Sequence, residues 1–237
     1  MKITIAHLYP DLLNLYGDNG NIAALSYRLR KRNISVEVVE YQIGDSIDFN
    51  STDILFIGGG SDKEMLTVAN EICSYSNDLK TYAENGGCIL AVCGGYELLG
   101  NFYIADGKKV ECTGLLNISA VHKNKRHIGN VVAKCELIGS DVAGFENHSG
   151  SMNIGDYTPL MRIVSGYGNN GTGYEGVVYK NVIGTYLHGP ILPKNAALTD
   201  YIISKAIEKK YGKTELHVLD DTVENLALEY AVANFSK

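Results

Sequence analysis

The chain lacks the features that mark a membrane, secreted or nucleic-acid-binding protein. No apolar run in its 237 residues approaches the roughly 20 that a membrane-spanning helix needs. The opening Met1-Lys2-Ile3-Thr4-Ile5 is not followed by a signal-peptide core with a small-residue cleavage site. A cytoplasmic protein with no direct membrane insertion is therefore expected. Positive charge is in deficit, with 21 Lys plus Arg against 27 Asp plus Glu and a formal charge of −6. The field that gathers polyanions is missing, so no nucleic-acid partner is expected. The five cysteines, Cys73, Cys88, Cys93, Cys112 and Cys135, form no C-x-x-C pair and have no His at zinc-ligand spacing. That argues against a disulfide framework and against a metal site. The Gly-Lys-Ser/Thr of a P-loop and the G-x-G-x-x-G of a dinucleotide site are also missing, so no nucleotide cofactor is expected in this chain. No Pro/Ser linker, charge run, internal repeat or low-complexity segment divides the sequence, and residues 1–237 are read as one domain.

What the chain has is 45% apolar residues and 26 glycines, above the average glycine share of about 7% and gathered at the ends of apolar runs. Tight strand-to-helix turns follow from that placement. Lys2 to His7 reads as a buried strand, and Ile22, Leu25 and Leu29 give Asn21 to Arg32 helical spacing. Ser35 to Glu40 and Asp53 to Ile57 read as strands, Lys63 to Glu84 as helical and Cys88 to Val92 as another strand, with a short helical stretch from Tyr96 to Leu99. This alternation predicts an α/β fold: an open, mostly parallel twisted sheet flanked by helices. From Gly114 to Tyr186 the pieces are short, β-prone and punctuated by glycine, which predicts antiparallel additions to the same sheet. Ala196 to Tyr211 and Thr222 to Phe235 read as closing amphipathic helices.

The sharpest local feature is Ala91-Val92-Cys93-Gly94-Gly95, between a buried strand and a helix. It has the form of a nucleophile elbow with cysteine in place of serine, and Ala91 and Gly95 supply the small flanking residues that such a strained turn needs. A thiol there would sit at a helix N-terminus, where backbone N–H groups favour thiolate and can hold an oxyanion. The same pattern also fits a small buried cysteine at a strand end. The other four cysteines lack a comparable context and read as structural. Of six histidines, His188 follows Val182-Ile-Gly-Thr-Tyr-Leu187 and precedes Gly189-Pro190. That places it at a strand's carboxyl end, the edge on which the elbow also opens and where open α/β sheets place their chemistry. Gly58-Gly59-Gly60 closes another strand and offers a flexible backbone that either presents a second N–H to an oxyanion or simply turns the chain.

Together, Cys93-Gly-Gly-Tyr-Glu-Leu-Leu-Gly100, Gly58-Gly-Gly-Ser-Asp-Lys-Glu64 and Gly184-Thr-Tyr-Leu-His-Gly-Pro190 resemble class I glutamine amidotransferase domains of the cobyric acid synthase-like branch. Leu15-Tyr-Gly-Asp-Asn-Gly-Asn21, Arg126-His-Ile-Gly-Asn130 and Gly144-Phe-Glu-Asn-His-Ser-Gly150 resemble those members of the branch that act as glutaminase subunits in peptidoglycan synthesis. The resemblance implies that Cys93 attacks the side-chain amide of glutamine, a thioester forms and ammonia leaves, with His188 as general base. It implies Gly59 and Gly94 as oxyanion donors, and Arg126 as the residue that binds the substrate through its guanidinium. No role follows for Tyr16, Asp18 and Asn19.

Many class I enzymes carry a Glu two residues beyond the histidine, whereas this chain has Pro190 there. Another residue of this chain, or a partner, would then orient His188. The resemblance favours a MurT-like, Mur-ligase-family partner that uses ATP and the released ammonia to amidate D-glutamate of lipid II to D-isoglutamine. Two alternatives stay open: an amidotransferase subunit serving a corrinoid or other carboxylate acceptor, and an unrelated flavodoxin-like thiol hydrolase.

Overall fold

The structure is a computed structural model that describes residues 1–212 and 215–236. Its first hundred residues alternate as β1 (Lys2–Leu8), α1 (Asn19–Lys31), β2 (Ser35–Tyr41), β3 (Ile54–Ile57), α2 (Asp62–Ile72), a 3-10 turn (Cys73–Tyr75), α3 (Ser76–Glu84), β4 (Cys88–Val92) and α4 (Gly94–Leu98). There follow β5 (Phe102–Ala105), β6 (Lys108–Glu111), β7 (Ser119–Cys135), β8 (Ser140–Asn153), β9 (Met161–Ser165), β10 (Tyr174–Glu175), β11 (Val177–Tyr179) and β12 (Val182–Thr185). Helices α5 (Ala196–Tyr211) and α6 (Thr222–Phe235) come last.

One sheet has the order β11-β12-β4-β3-β1-β2, parallel except for the β11 edge. Its central strands are apolar at successive positions because both faces are covered. Ile3, Ile5, Ile54, Phe56, Cys88, Leu90 and Val92 pack with α1 and α5, while Ala6, Leu8, Leu55, Ile57, Ile89 and Ala91 pack with α2 and α3. The two-residue alternation of side chains thus assigns each strand residue to one of two cores.

The β-rich middle departs from the sequence reading. Only β11 and β12 join the first sheet; β5 to β10 build a second, mostly antiparallel sheet of order β10-β9-β7-β5-β6, with β8 paired to β7. Within that β-prone stretch, Tyr174 to Tyr179 is divided between the two sheets. The cause lies in the side chains. Along β8 buried residues alternate with half-buried ones, and β7 carries an exposed Lys123 to Arg126 stretch, so neither suits a strand covered on both faces. The inward residues of this sheet enter the same two cores, Val131, Ala133 and Met161 on one side and Tyr103, Ala120 and Met152 on the other.

Helix α6 also differs from expectation: none of its described residues is buried, and Val223, Leu226 and Tyr230 stand exposed one turn apart along one face. Its start is fixed by Asp221, whose carboxylate accepts two hydrogen bonds from the buried Arg28 of α1 (2.6 and 2.8 Å). No helix among the described residues is long and apolar enough to cross a membrane.

Candidate active site

Four neighbouring parallel strands, β1, β3, β4 and β12, end at the same edge of the first sheet. The chain leaving β1, β3 and β4 supplies the 9–18 segment, Gly58-Gly59-Gly60 and Cys93 to the site, while His188, on the chain leaving β12, does not line the cavity over Cys93. Cys93 sits at φ +53°, ψ −113°. A non-glycine residue gains nothing in stability from that conformation; it is held by the strand before it and the helix after it. The Cys93 N–H donates to the Thr185 carbonyl (2.8 Å), so the elbow is tied directly to the strand that leads to His188. Gly94 follows at the start of α4, and its N–H faces the thiol.

A cavity of about 320 Å³ opens over Cys93, lined among others by Gly60, Gly94, Glu97, His122, Arg126 and Asn147. Its size suits a small molecule such as an amino acid. Arg126 reaches it because the β7–β8 pairing breaks register between His122 and His127, and such a bulge re-aims side chains. The guanidinium donates to the Asn147 carbonyl (3.3 Å) and side-chain oxygen (3.1 Å). Glu97 is buried, accepts the Tyr186 hydroxyl (2.9 Å) and lies 2.9 Å from the His122 Nε2. Burial lowers the His122 pKa, but the hydrogen bond and charge of Glu97 outweigh it and the net shift is upward. The cavity therefore carries positive charge on Arg126 and negative charge on Glu97, a pattern matched to a zwitterion.

The thiol is not held as thiolate. Burial pushes the Cys93 pKa up, the charges of Glu97 and Asp18 push the same way, and the Gly94 N–H and Arg126 only partly offset them. The five-residue α4 and the Gly94 N–H do not outweigh burial and the charges of Glu97 and Asp18. Such a thiol needs a base at the moment it reacts. His188 is fully buried, and burial first, then the neighbouring His148 and Lys194, lower its pKa to about 4, so its imidazole is neutral at physiological pH. Neither ring nitrogen makes a hydrogen bond of good geometry, though the nearby Asn147 backbone pulls the pKa partly back up. A two-way backbone bridge with Phe145 of β8 (2.9 and 3.1 Å) docks the His188 loop on the second sheet.

Gly59 lies behind Cys93: a Cβ added there would stand 3.0 Å from the Cys93 Cβ. Its N–H donates to the Asp18 carboxylate (2.8 Å), so as it stands it is spent on that bond, and Gly60 is the turn residue that lines the cavity. Asp18 is buried, its second oxygen has no partner, and burial pushes its pKa up to about 7 against the pull of the Gly59 N–H. An acid whose folded pKa exceeds its unfolded value holds its proton more tightly in the folded chain, so stability falls as pH rises from about 4 to about 7. Asp18→Asn keeps an oxygen for the Gly59 N–H and cannot ionise. Its stability relative to the native chain is expected to improve across that window by on the order of 2–4 kcal/mol. Urea unfolding at pH 4.5 and 7.5 measures this; a difference between the two proteins that stays constant with pH contradicts it.

Sequence reasoning missed Asp18, Glu97 and Asn147. Glu97 had a signal, since its position one turn into the elbow helix faces it toward the turn. The other two act through partners 41 and 21 residues away. His127 stacks on Tyr167 (3.4 Å between ring centres) and does not line the cavity. Cys88, Cys112 and Cys135 are buried and Cys73 half-buried, all with free thiols.

A strained cysteine elbow at the carboxyl edge of a parallel sheet, with a histidine on the chain that leaves the neighbouring strand, fits the class of α/β enzymes to which cysteine-dependent amidotransferases belong. The chain belongs to the CobB/CobQ-like glutamine amidotransferase domain family, which it matches over residues 4–196. It is 44% identical over 225 residues to the GatD subunit of the glutamine-hydrolysing lipid II isoglutaminyl synthase of Staphylococcus aureus (strain N315), covering 94% of this chain and 92% of that one. It is 40% identical to the GatD subunit of Streptococcus pneumoniae (strain R6) over 97% of this chain and 91% of that one. Among solved structures, PurLQS from Thermotoga maritima shares the fold with a TM-score of 0.57 at 17% identity, over 87% of this chain and 96% of that one.

Proposed function

We propose that this chain is the glutamine-hydrolysing subunit of a lipid II isoglutaminyl synthase, and that Cys93 and His188 carry the hydrolysis. The observation that bears most weight is the strained Cys93 on its elbow, facing a cavity of about 320 Å³ that Arg126 also lines. The α-carboxylate of glutamine pairs with Arg126 and its α-ammonium with Glu97, which leaves the side-chain amide over the thiol. His188 takes the thiol proton as Sγ bonds to the amide carbon. The oxyanion is received by the Gly94 N–H and, once its bond to Asp18 is exchanged, by that of Gly59. The imidazolium returns the proton to the leaving nitrogen, ammonia departs and a glutamyl thioester remains. Water, deprotonated by His188, cleaves it to glutamate and free thiol.

The ammonia is consumed by a partner. Two features support a partner of the MurT-like, Mur-ligase family, in which ATP activates the D-glutamate carboxylate of lipid II: the GatD relatives are named as subunits, and α6 leaves Val223, Leu226 and Tyr230 exposed. Many class I enzymes place a Glu where this chain has Pro190, so a carboxylate that orients His188 would come from elsewhere in this chain or from the partner. No cofactor is proposed for this chain. In the assembled complex, Arg126→Ala is expected to raise KM for glutamine about 10- to 100-fold, the worth of a charge-assisted pair, with a smaller change in kcat. Steady-state ammonia release measures this, and an unchanged KM removes Arg126 from the substrate site.

A further inference from the structure

The Leu15 to Asn21 motif, without a role in the sequence, touches both halves of the site. On the cysteine side, the Leu15 N–H donates to the Gly59 carbonyl (3.0 Å) and Asp18 accepts the Gly59 N–H. On the histidine side, a Cβ on Gly20 would collide with the Pro190 ring, and the Asn21 side chain accepts the Leu192 N–H (2.9 Å). Between them stands Tyr16, at φ +62° and 44% exposed. An exposed tyrosine in a left-handed conformation has no stability of its own to recommend it. Its ring lies flat on the His188 imidazole, with centres 4.5 Å apart and planes 22° from parallel. Its hydroxyl accepts a hydrogen bond from the Asn147 side-chain nitrogen (2.7 Å), and the same Asn147 accepts from Arg126 through its side-chain oxygen.

We infer that Tyr16 is a positioning residue: its ring fixes the plane of the His188 imidazole, and its hydroxyl, through Asn147, fixes Arg126. The inference rests on the roles proposed above for His188 and Arg126. Stacking restrains a ring that has no side-chain hydrogen-bond partner, and Phe145 meets it edge-on (6.1 Å, 78°). The ring is thereby held against tipping out of its plane. The ring and the hydroxyl of one side chain thus serve two different steps, proton transfer and substrate capture, and the two are separable by mutation.

In the complex, Tyr16→Ala is expected to lower kcat for glutamine hydrolysis about 10- to 100-fold, the loss that goes with a displaced reacting group. Tyr16→Phe keeps the ring and should restore kcat to within about threefold of the native value while KM stays about fivefold raised, because Asn147 has lost one of its two tethers. A Phe variant as slow as the Ala variant, or an Ala variant with native kcat, overturns the inference. A readout independent of turnover is the titration of His188 by NMR in the isolated full chain labelled at histidine. The titratable groups that face the imidazole are Tyr16, His148 and Lys194, and the Asn147 backbone also approaches it. Tyr16→Ala admits water and should move the titration upward from about 4 toward the ordinary 6.5, whereas Tyr16→Phe should leave it in place. If the native complex releases no ammonia from glutamine, the glutaminase reading fails. The titration then still decides the contact: a midpoint unmoved by Tyr16→Ala overturns it.

Discussion

Replacing Cys93 by alanine is expected to lower ammonia release from glutamine by about four orders of magnitude or more, the scale on which a covalent nucleophile is missed. The fold should be unaffected: Cys93 is half-buried, its neighbours Gly94 and Gly95 carry the close contacts of the elbow, and alanine fits the same space. Its melting temperature should stay within a few degrees of the native value. Ammonium added to the complex of this variant should restore amidation of the acceptor, because the ATP-using step belongs to the partner. Hydrolysis that survives the substitution would assign the nucleophile elsewhere.

The second large effect concerns geometry. A Cβ on Gly95 would stand 2.5 Å from the Ile57 carbonyl oxygen and 2.6 Å from that of Gly58, and both contacts are with backbone that cannot rotate away. The Gly95 N–H also donates to the Gly58 carbonyl (3.0 Å), so this pair of turns is in direct contact across the sheet edge. Gly95→Ala is expected to destabilise the chain by about 3 kcal/mol or more, since the strand and the elbow must part. Hydrolysis should fall further than the unfolded fraction explains, because the Gly58 to Gly60 turn moves away from Cys93. Urea unfolding and activity at a denaturant-free baseline give the two numbers; a stability change under about 1 kcal/mol contradicts the packing argument.

Much of the architecture was legible because the strands of the first sheet are short apolar runs ended by glycine, and two-sided burial leaves that signature. The edge of the sheet was legible for the same reason. Val92 and Leu187 end apolar runs, so Cys93 and His188 had to stand at strand ends, and strands β4 and β12 are indeed neighbours. The second sheet was not legible, since the short β-prone pieces of residues 119–153 show strand character without saying which sheet they join. Nor did the helical spacing of Thr222 to Phe235 say whether any other element would cover its apolar face. The polar supports were hidden for a further reason: Tyr16 meets Asn147 across 131 residues and Asp18 meets Gly59 across 41, contacts that the folded topology creates and no local pattern announces. A helix terminus can be read from a sequence, whereas the burial of Cys93 and the nearness of Glu97 and Asp18, which push its pKa up, cannot.

The account stands or falls on a glutamyl group carried by Cys93. Acid quench of the complex within milliseconds of mixing with isotope-labelled glutamine, followed by peptide mass analysis, should find the label on the Cys93 peptide as a base-labile thioester, and find none in Cys93→Ala. Ammonia release at the native rate with no acyl adduct on that peptide would contradict it.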